Sequence, residues 1–112
     1  MATFGLFDNG KQRNIGNSFV TVYTAPALKR SYILQLDISS TGSTGVQIDV
    51  VIFDGTNDFY LGKNIPLPIG STLEFVQDKK IVLKAGESIK VRCATPSEVV
   101  DAICSLVEDV NA

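Results

Sequence analysis

The sequence has 112 residues, 45% of them hydrophobic and 20% charged, and a formal net charge of −2 at pH 7. This length fits one domain whose core needs neither a metal nor a disulfide. The slightly acidic balance argues against the basic face of a nucleic-acid-binding protein. No apolar run approaches the roughly 18 residues that cross a bilayer. We expect a soluble domain made inside the cell, with neither nucleic acid nor membrane as a partner.

The absence of histidine excludes several classes of catalytic and metal site. The chain contains no histidine, whereas Ser-His-Asp catalysis, Cys-His catalysis and most zinc or non-haem iron sites need an imidazole. The segment that starts at Asp54 fails as a calcium loop because Phe59 stands where glycine is needed. Gly62 and Lys63 lack the flanking residues of a phosphate loop. We therefore predict that the protein is not an enzyme and has no catalytic residue, metal or cofactor.

The first 16 residues differ from the rest because no hydrophobic period emerges in them. They contain three large apolar residues, Phe4, Leu6 and Phe7, which are unfavourable in water. Such an arm is either a disordered terminus or an anchor that orders on a neighbouring subunit. We predict an N-terminal anchoring arm over 1–16 and a β-sandwich domain over 17–112, and we expect deletion of residues 2–14 to leave the sandwich folded.

Alternating apolar and polar residues predict strands through most of that domain. The alternation is clearest at 31–39, whose inward side is predicted to carry Tyr32, Leu34, Leu36 and Ile38. Residues 46–53 repeat the pattern with an inward side of Val46, Ile48, Val50 and Ile52. Further strands are predicted at 17–24, 58–62, 72–76, 80–84 and 88–93.

Two large apolar side chains of the strand 46–53, Val51 and Phe53, fall on its otherwise polar face. We predict that neighbouring subunits cover these two residues, together with the apolar residues of the arm. The predicted contact residues are Phe4, Leu6, Phe7, Val51 and Phe53. The expected working form is a homo-oligomer, with a trimer favoured.

Turn residues separate the predicted strands. We assign a hairpin loop to 39–45, a four-residue hairpin turn to 54–57, and another hairpin closed by 85–87. The segment 65–70 contains two prolines, which remove ladder donors, so we expect an extended crossover between sheets there. Short strands at this spacing predict an all-β fold, a single antiparallel two-sheet β-sandwich of seven or eight strands of jelly-roll or Ig-like type.

The segment after residue 94 supports two interpretations. Thr95-Pro96-Ser97-Glu98 has the pattern of a helix capping box with proline at the first helical position. The following residues also alternate as a strand, with one side formed by Val100, Ala102, Cys104 and Leu106. The β-branched residues in this segment favour the strand.

The two cysteines, Cys93 and Cys104, are predicted to be buried free thiols. If 88–93 and 99–107 paired as a hairpin, the two sulfurs would lie about 16 Å apart along the strands. A disulfide needs Cα atoms within about 7 Å. Free thiols also agree with assembly in a reducing cytoplasm.

Three stretches carry a family resemblance: Tyr32-Ile-Leu-Gln-Leu-Asp-Ile38 with the loop after it, Lys63-Asn-Ile-Pro-Leu-Pro-Ile-Gly-Ser-Thr72, and Lys80-Ile-Val-Leu-Lys-Ala-Gly-Glu-Ser-Ile-Lys-Val91. Together they resemble small structural proteins of tailed bacteriophages, particularly those of cyanobacterial and marine phages. In that family the last segment looks like a strand, so we predict a strand rather than a helix over 97–108.

The resemblance implies a virion component without enzymatic activity, repeated around a symmetric head, neck or tail. The expected roles are capsid decoration or cement protein and neck or tail accessory protein. The expected partners are other virion proteins, namely major capsid, portal, neck or tail proteins. The protein would be located in the virion after assembly in the host cytoplasm.

A carbohydrate- or receptor-binding module is the alternative function, because such modules are also β-sandwiches. Sugars would stack on Tyr23, Tyr32 or Tyr60, although the alternation places Tyr32 in the core. A small enzyme is the third hypothesis, and no motif in the sequence supports it.

Overall fold

The computed structural model describes residues 6–76 and 81–108, with the backbone alone for Leu6, and contains nine β-strands within them. The strands are β1 (Leu6–Ile15), β2 (Val20–Thr24), β3 (Ser31–Ser40), β4 (Val46–Phe53), β5 (Asp58–Leu67), β6 (Thr72–Val76), β7 (Ile81–Leu83), β8 (Ser88–Cys93) and β9 (Val100–Glu108).

The strands form two antiparallel sheets that pack face to face. Sheet A has the order β1-β9-β3-β6, with β7 also paired to β3, and sheet B has the order β2-β8-β4-β5. Strands of the first half pair with strands of the second: β1 with β9, β2 with β8, β3 with β6 and β7, and β4 with β5. A long hairpin wrapped into two sheets in this way is a jelly roll. The predicted all-β two-sheet sandwich is confirmed.

The tip of this long hairpin is the turn between β4 and β5. The Oδ1 atom of Asp54 accepts hydrogen bonds from the backbone N–H groups of Asn57 (2.7 Å) and Thr56 (2.9 Å). These bonds lower the pKa of the Asp54 carboxyl. Gly55 has a φ of 101°, a conformation that glycine adopts at little cost. The hairpin predicted at 54–57 is confirmed.

The core lies between the sheets and is built from aliphatic side chains of both. Its largest fully buried members are Ile15, Ile33, Leu36, Ile38, Ile48, Leu83, Ile89 and Leu106. The inward assignments of Leu36 and Ile38 in β3, and of Val46, Ile48 and Val50 in β4, are confirmed.

A β-bulge changes the predicted facing at the start of β3. The register of β3 against β9 shifts between Ile33 and Gln35. Because one extra residue reverses the alternation, Ile33 is buried in the core while Tyr32 and Leu34 are only half-buried. The prediction that Tyr32 and Leu34 share the inward face with Leu36 is therefore wrong.

Two predicted hairpins are instead connections between sheets. The 39–45 loop joins β3 in sheet A to β4 in sheet B, and residues 85–87 join β7 in sheet A to β8 in sheet B. The local turn chemistry at 85–87 is present nonetheless, since Gly86 has a φ of 83° and the Glu87 N–H donates to the Lys84 carbonyl. A turn sequence fixes the bend but not the sheet to which the next strand belongs.

The crossover between sheets expected at 65–70 is present but begins later, because residues 65–67 still belong to β5 of sheet B and the chain crosses to β6 of sheet A after Leu67. β5 runs to Leu67, and Pro66 lies opposite Gln47 of β4. β5 is at the edge of sheet B, and an edge strand tolerates a residue that has no N–H group to donate.

The N-terminal segment also differs from the expected irregular arm. Leu6–Ile15 is β1, which pairs with β9 along its length and places Ile15 in the core. Gly10 lies against β2, because a Cβ there would be 2.5 Å from the Val22 carbonyl oxygen. Hydrophobic periodicity missed this strand because its side chains from Phe7 to Asn14, Gly10 apart, are exposed. The division of the chain at residue 16 stays a prediction.

The C-terminal strand is confirmed as β9, with the four predicted side chains buried on one face. The residues of the predicted capping box do not begin a helix. The Thr95 hydroxyl accepts a hydrogen bond from the Gln47 N–H at 3.0 Å, so it holds the start of β4.

One carboxylate, Asp49 of β4, is fully buried. Its Oδ1 accepts the Asn64 N–H at 2.7 Å, and its Oδ2 pairs with the Arg92 Nε at 2.8 Å. Asn64 has a positive φ of 55°, so the carboxylate holds β5 at the point where its backbone departs from extended geometry. Asp49 thus connects three neighbouring strands, β5, β4 and β8.

We expect truncation of either core residue, Leu36→Ala or Ile48→Ala, to lower the free energy of unfolding by about 2–5 kcal/mol. The exposed Gln35→Ala is the control and should change it by less than about 0.5 kcal/mol. Urea denaturation measures all three variants. A larger loss in Gln35→Ala than in the core variants would contradict the facing of β3.

Asp49→Ala should lower the free energy of unfolding by about 2–3 kcal/mol, because it leaves the Asn64 N–H and the Arg92 guanidinium without their acceptor. Asp58→Ala removes an exposed carboxylate from the same hairpin and should change stability by less than about 0.5 kcal/mol. Thermal melting followed by circular dichroism compares the two. Equal melting temperatures would show that Asp49 does not hold the three strands together.

Candidate interaction surfaces

The candidate interaction sites of this chain are the outer faces of its two sheets. In the part of the chain that the structure describes, no three histidine, cysteine, aspartate or glutamate side chains group as metal ligands. Those same residues contain no helix that is long and apolar enough to cross a membrane. The outer faces of the two sheets differ in how far the chain's own side chains cover them.

The outer face of sheet B carries a cluster of rings and cations. The Phe19 and Tyr60 rings meet edge to face with centroids 6.2 Å apart. The Arg92 guanidinium carbon lies 4.6 Å from the Phe19 centroid, and the Lys63 Nζ lies 5.3 Å from the Tyr60 centroid. Because Arg92 is also held by Asp49, this cluster is fixed to the buried carboxylate beneath it.

The predicted contact residues Val51 and Phe53 lie on this face, as their parity in the strand indicates. Val51 is opposite Tyr60 on one side and Lys90 on the other, and it is 0% exposed. The expectation that a neighbouring subunit covers Val51 is corrected, because the chain buries this residue by itself. The Lys90 Nζ lies 4.0 Å from the Phe53 ring centroid, which leaves Phe53 half-buried.

The outer face of sheet A carries an uncovered apolar row. Directly opposite residues run across four strands in the order Phe7, Val107, Tyr32 and Val82. Phe7 is 76% exposed and Val82 is 48% exposed, and they stand at the two ends of the row. Exposed apolar groups aligned in this way are typical of a contact surface.

A second row on the same face is charged at its ends. It runs in the order Lys11, Ile103, Asp37 and Glu74 across β1, β9, β3 and β6. Ile103 is 52% exposed. The row therefore has a cation at the β1 edge of the sheet and a carboxylate at the β6 edge.

The predicted contact residues of the N-terminal segment have different outcomes. Phe7 is exposed on β1, at the end of the apolar row. Phe4 lies outside the described residues, and Leu6 contributes only its backbone to β1. Contact of Phe4, Leu6, Phe7 and Phe53 with a partner stays a prediction.

A polar contact links the two sheets near the end of β9. Tyr23 of β2 donates a hydrogen bond to the carboxylate of the buried Glu108, and its hydroxyl lies 2.9 Å from the Ser31 Oγ. Burial and the bond to Glu108 raise the pKa of Tyr23. Tyr23 is therefore a bridge between sheets rather than a platform for sugars.

Cys93 and Cys104 are buried free thiols, as predicted, and burial raises the pKa of both. The geometric premise of that prediction is corrected. β8 and β9 lie in different sheets, so the two cysteines are not on paired strands.

Hydrophobic periodicity does not predict the cluster of rings and cations on sheet B. Its residues come from the segment before β2 and from β5 and β8, and no short-range spacing connects these segments. One local feature of the sequence does indicate a cation at this place. Asp49 interrupts a run of apolar residues in β4, and a buried carboxylate needs a cation or several hydrogen-bond donors.

No protein-family model and no curated protein sequence matches the chain. Among solved structures, two similar chains have TM-scores below 0.5. One is a pentameric capsid protein isolated from metagenomic phage sequences, with a TM-score of 0.41 and 14% identity, covering 88% of this chain and 59% of that chain. The other comes from Bacillus endospore appendages, with a TM-score of 0.49 and 10% identity, covering 95% of this chain and 89% of that chain.

A third solved chain is similar over the whole length of the present chain. It belongs to the acidic stable capsid structure of Helicobacter pylori bacteriophage KHP30, and the match has a TM-score of 0.58 and 8% identity, covering 100% of this chain and 92% of that chain. At this identity the match establishes a shared fold, and that fold spans the full length of the present chain.

Proposed function

We propose that the protein is a non-enzymatic structural component of a tailed-phage virion, acting as a capsid decoration or cement protein or as a neck or tail accessory protein. The observation that carries this proposal is the full-length fold match to a chain of similar size in a phage capsid structure. Jelly rolls are common in viral capsids. The sequence resemblance to small phage structural proteins supports the same role.

Such a protein acts by holding surfaces together, and apolar contact supplies most of the energy for this. The outer face of sheet A offers exposed apolar side chains at Phe7, Ile103 and Val82. The proposed partners are other virion proteins, namely major capsid, portal, neck or tail proteins, reached through the N-terminal segment and the sheet surfaces. The proposed location is the virion, after assembly in the host cytoplasm, where the buried thiols stay reduced.

The proposed working form is a homo-oligomer, with a trimer favoured. A protein repeated around a symmetric particle gains from self-association, since several weak contacts then act together. The uncovered rows of sheet A supply the surface for it.

A carbohydrate- or receptor-binding module is the second candidate, favoured by the outward position of Tyr32. Lectins also use the jelly roll. The Tyr60 ring is already in contact with Phe19 and Lys63, so Tyr32 is the better platform for a sugar. Glycan-array binding that is abolished by Tyr32→Ala would favour this candidate over the virion role.

The virion role predicts that the protein purifies with phage particles and that Phe7→Ser reduces its copy number in them by about tenfold or more. The reason is that a buried Phe side chain contributes roughly 1.5–3 kcal/mol to a contact. The folded chain should keep its melting temperature, because Phe7 is exposed. Quantitative mass spectrometry of purified particles measures the copy number.

Leu28→Ser is the matched control, since Leu28 is an exposed apolar residue outside sheet A. Its copy number should stay close to that of the unmodified protein. Absence of the unmodified protein from purified particles would overturn the virion role. An equal loss in both variants would overturn the contact assigned to Phe7.

A further inference from the structure

We propose that copies of this protein join head to tail through the two edges of sheet A, with β1 of one copy lying beside β6 and β7 of the next. Sheet A then continues from copy to copy and closes into a ring. This inference deepens the proposed function, on which its role in a particle rests, because it identifies which surfaces of the homo-oligomer meet.

Within the described residues, each edge strand of sheet A has a sheet neighbour on one side only. Among residues 6–76 and 81–108, β1 has a sheet neighbour only in β9, while β6 and β7 have a sheet neighbour only in β3. β1 pairs along one side of β9, and β6 and β7 pair with different parts of one side of β3, at Leu36–Ser39 and Ser31–Ile33. Exposed edges of this kind pair readily with another chain.

The strand directions fit such a contact. β1 is antiparallel to β9, β9 is antiparallel to β3, and β3 is antiparallel to β6 and β7. A second copy placed beside the first in the same orientation therefore presents its β1 antiparallel to β6 and β7. A head-to-tail contact of this type forms a closed ring when the rotation between copies closes.

The apolar row supports one particular register. Phe7 stands at the β1 end of that row and Val82 at the β7 end, and both are exposed. In the joined sheet, Val82 of one copy is the direct neighbour of Phe7 of the next. The contact continues the row across the boundary and removes its two most exposed side chains from water.

The charged row supports the same register independently. Lys11 stands at the β1 end and Glu74 at the β6 end. Lys11 and Phe7 are four residues apart on β1, as Ile103 and Val107 are on β9. The register that places Val82 beside Phe7 therefore also places Glu74 beside Lys11, which pairs opposite charges.

Two depressions lie near these edges and have complementary linings. The first, of about 360 Å³, is lined by Lys11, Gln12, Arg13, Asp101 and Ile103. The second, of about 250 Å³, is lined by Leu34, Gln35, Glu74 and Val76. The one near β1 has two cations and the Asp101 carboxylate, and the one near β6 has the Glu74 carboxylate. The opposite charges of Lys11 and Glu74 favour contact between unlike edges at this point over contact between two copies of the same edge.

The first test uses charge reversal in the full chain. We expect the unmodified protein to sediment as a single closed oligomer in analytical ultracentrifugation. Lys11→Glu and Glu74→Lys should each raise the dissociation constant at least tenfold, because like charges then face each other, and the double variant should regain most of the loss. Lys63→Glu reverses a charge on sheet B and should leave the association unchanged. Melting curves confirm that each variant is folded.

The second test distinguishes unlike edges from like edges. The double variant Phe7→Cys with Val82→Cys should form covalent multimers larger than dimers under oxidation, while either single variant should not cross-link. The native thiols are buried and do not compete. A monomer in solution, or dimers cross-linked through Phe7→Cys alone, would overturn the head-to-tail ring.

The outcomes also separate this inference from the proposed function. A protein that is present in purified particles but does not cross-link through these edges keeps the virion role and overturns the ring. A protein that forms the cross-linked ring but is absent from particles keeps the ring and overturns the virion role.

Discussion

The antiparallel pairing of the first half of the chain with the second half is the constraint on which the rest of the structure depends. The turn held by Asp54 is the tip of this pairing, and the successive strand pairs follow one another away from the tip. Register then decides which side chains enter the core, since a shift of one residue exchanges the two faces of a strand. The bulge in β3 does this locally and turns Tyr32 outward.

The two outer faces follow from the same pairing and differ in what lies on them. On sheet B, Val51 is fully buried, and Lys90 and Arg92 lie over the Phe53 and Phe19 rings. Asp49 fixes that layer from below. The edge strand β5 of the same sheet exposes Phe59, Tyr60 and Leu61. On sheet A the apolar residues stay uncovered and the charges lie at opposite edges. Sheet B thus carries a layer of paired rings and cations, while sheet A carries a row of exposed apolar side chains.

Alternation in the sequence predicted most strands and the facing of β4 and β9, and turn residues predicted the turn at 54–57, because these features depend on neighbours within a few residues. The strand β1 was missed since only its backbone and Ile15 take part in the sheet and core. The hairpins assigned at 39–45 and 85–87 were wrong because a turn does not determine sheet membership. The bulge in β3 and the cluster around Phe19 depend on distant strands, which periodicity does not register.

The pairing of β1 with β9 has a consequence for how the chain folds during its synthesis on the ribosome. Leu6 lies opposite Glu108, so the first of the nine described strands pairs with the last of them. Contacts between residues so far apart in sequence slow folding, because the entropy of closing the loop is lost before the contacts form. During synthesis, β1 cannot pair with β9 until β9 has left the ribosomal tunnel. Sheet A is therefore incomplete until the ribosome has synthesised the chain well beyond the inner strands.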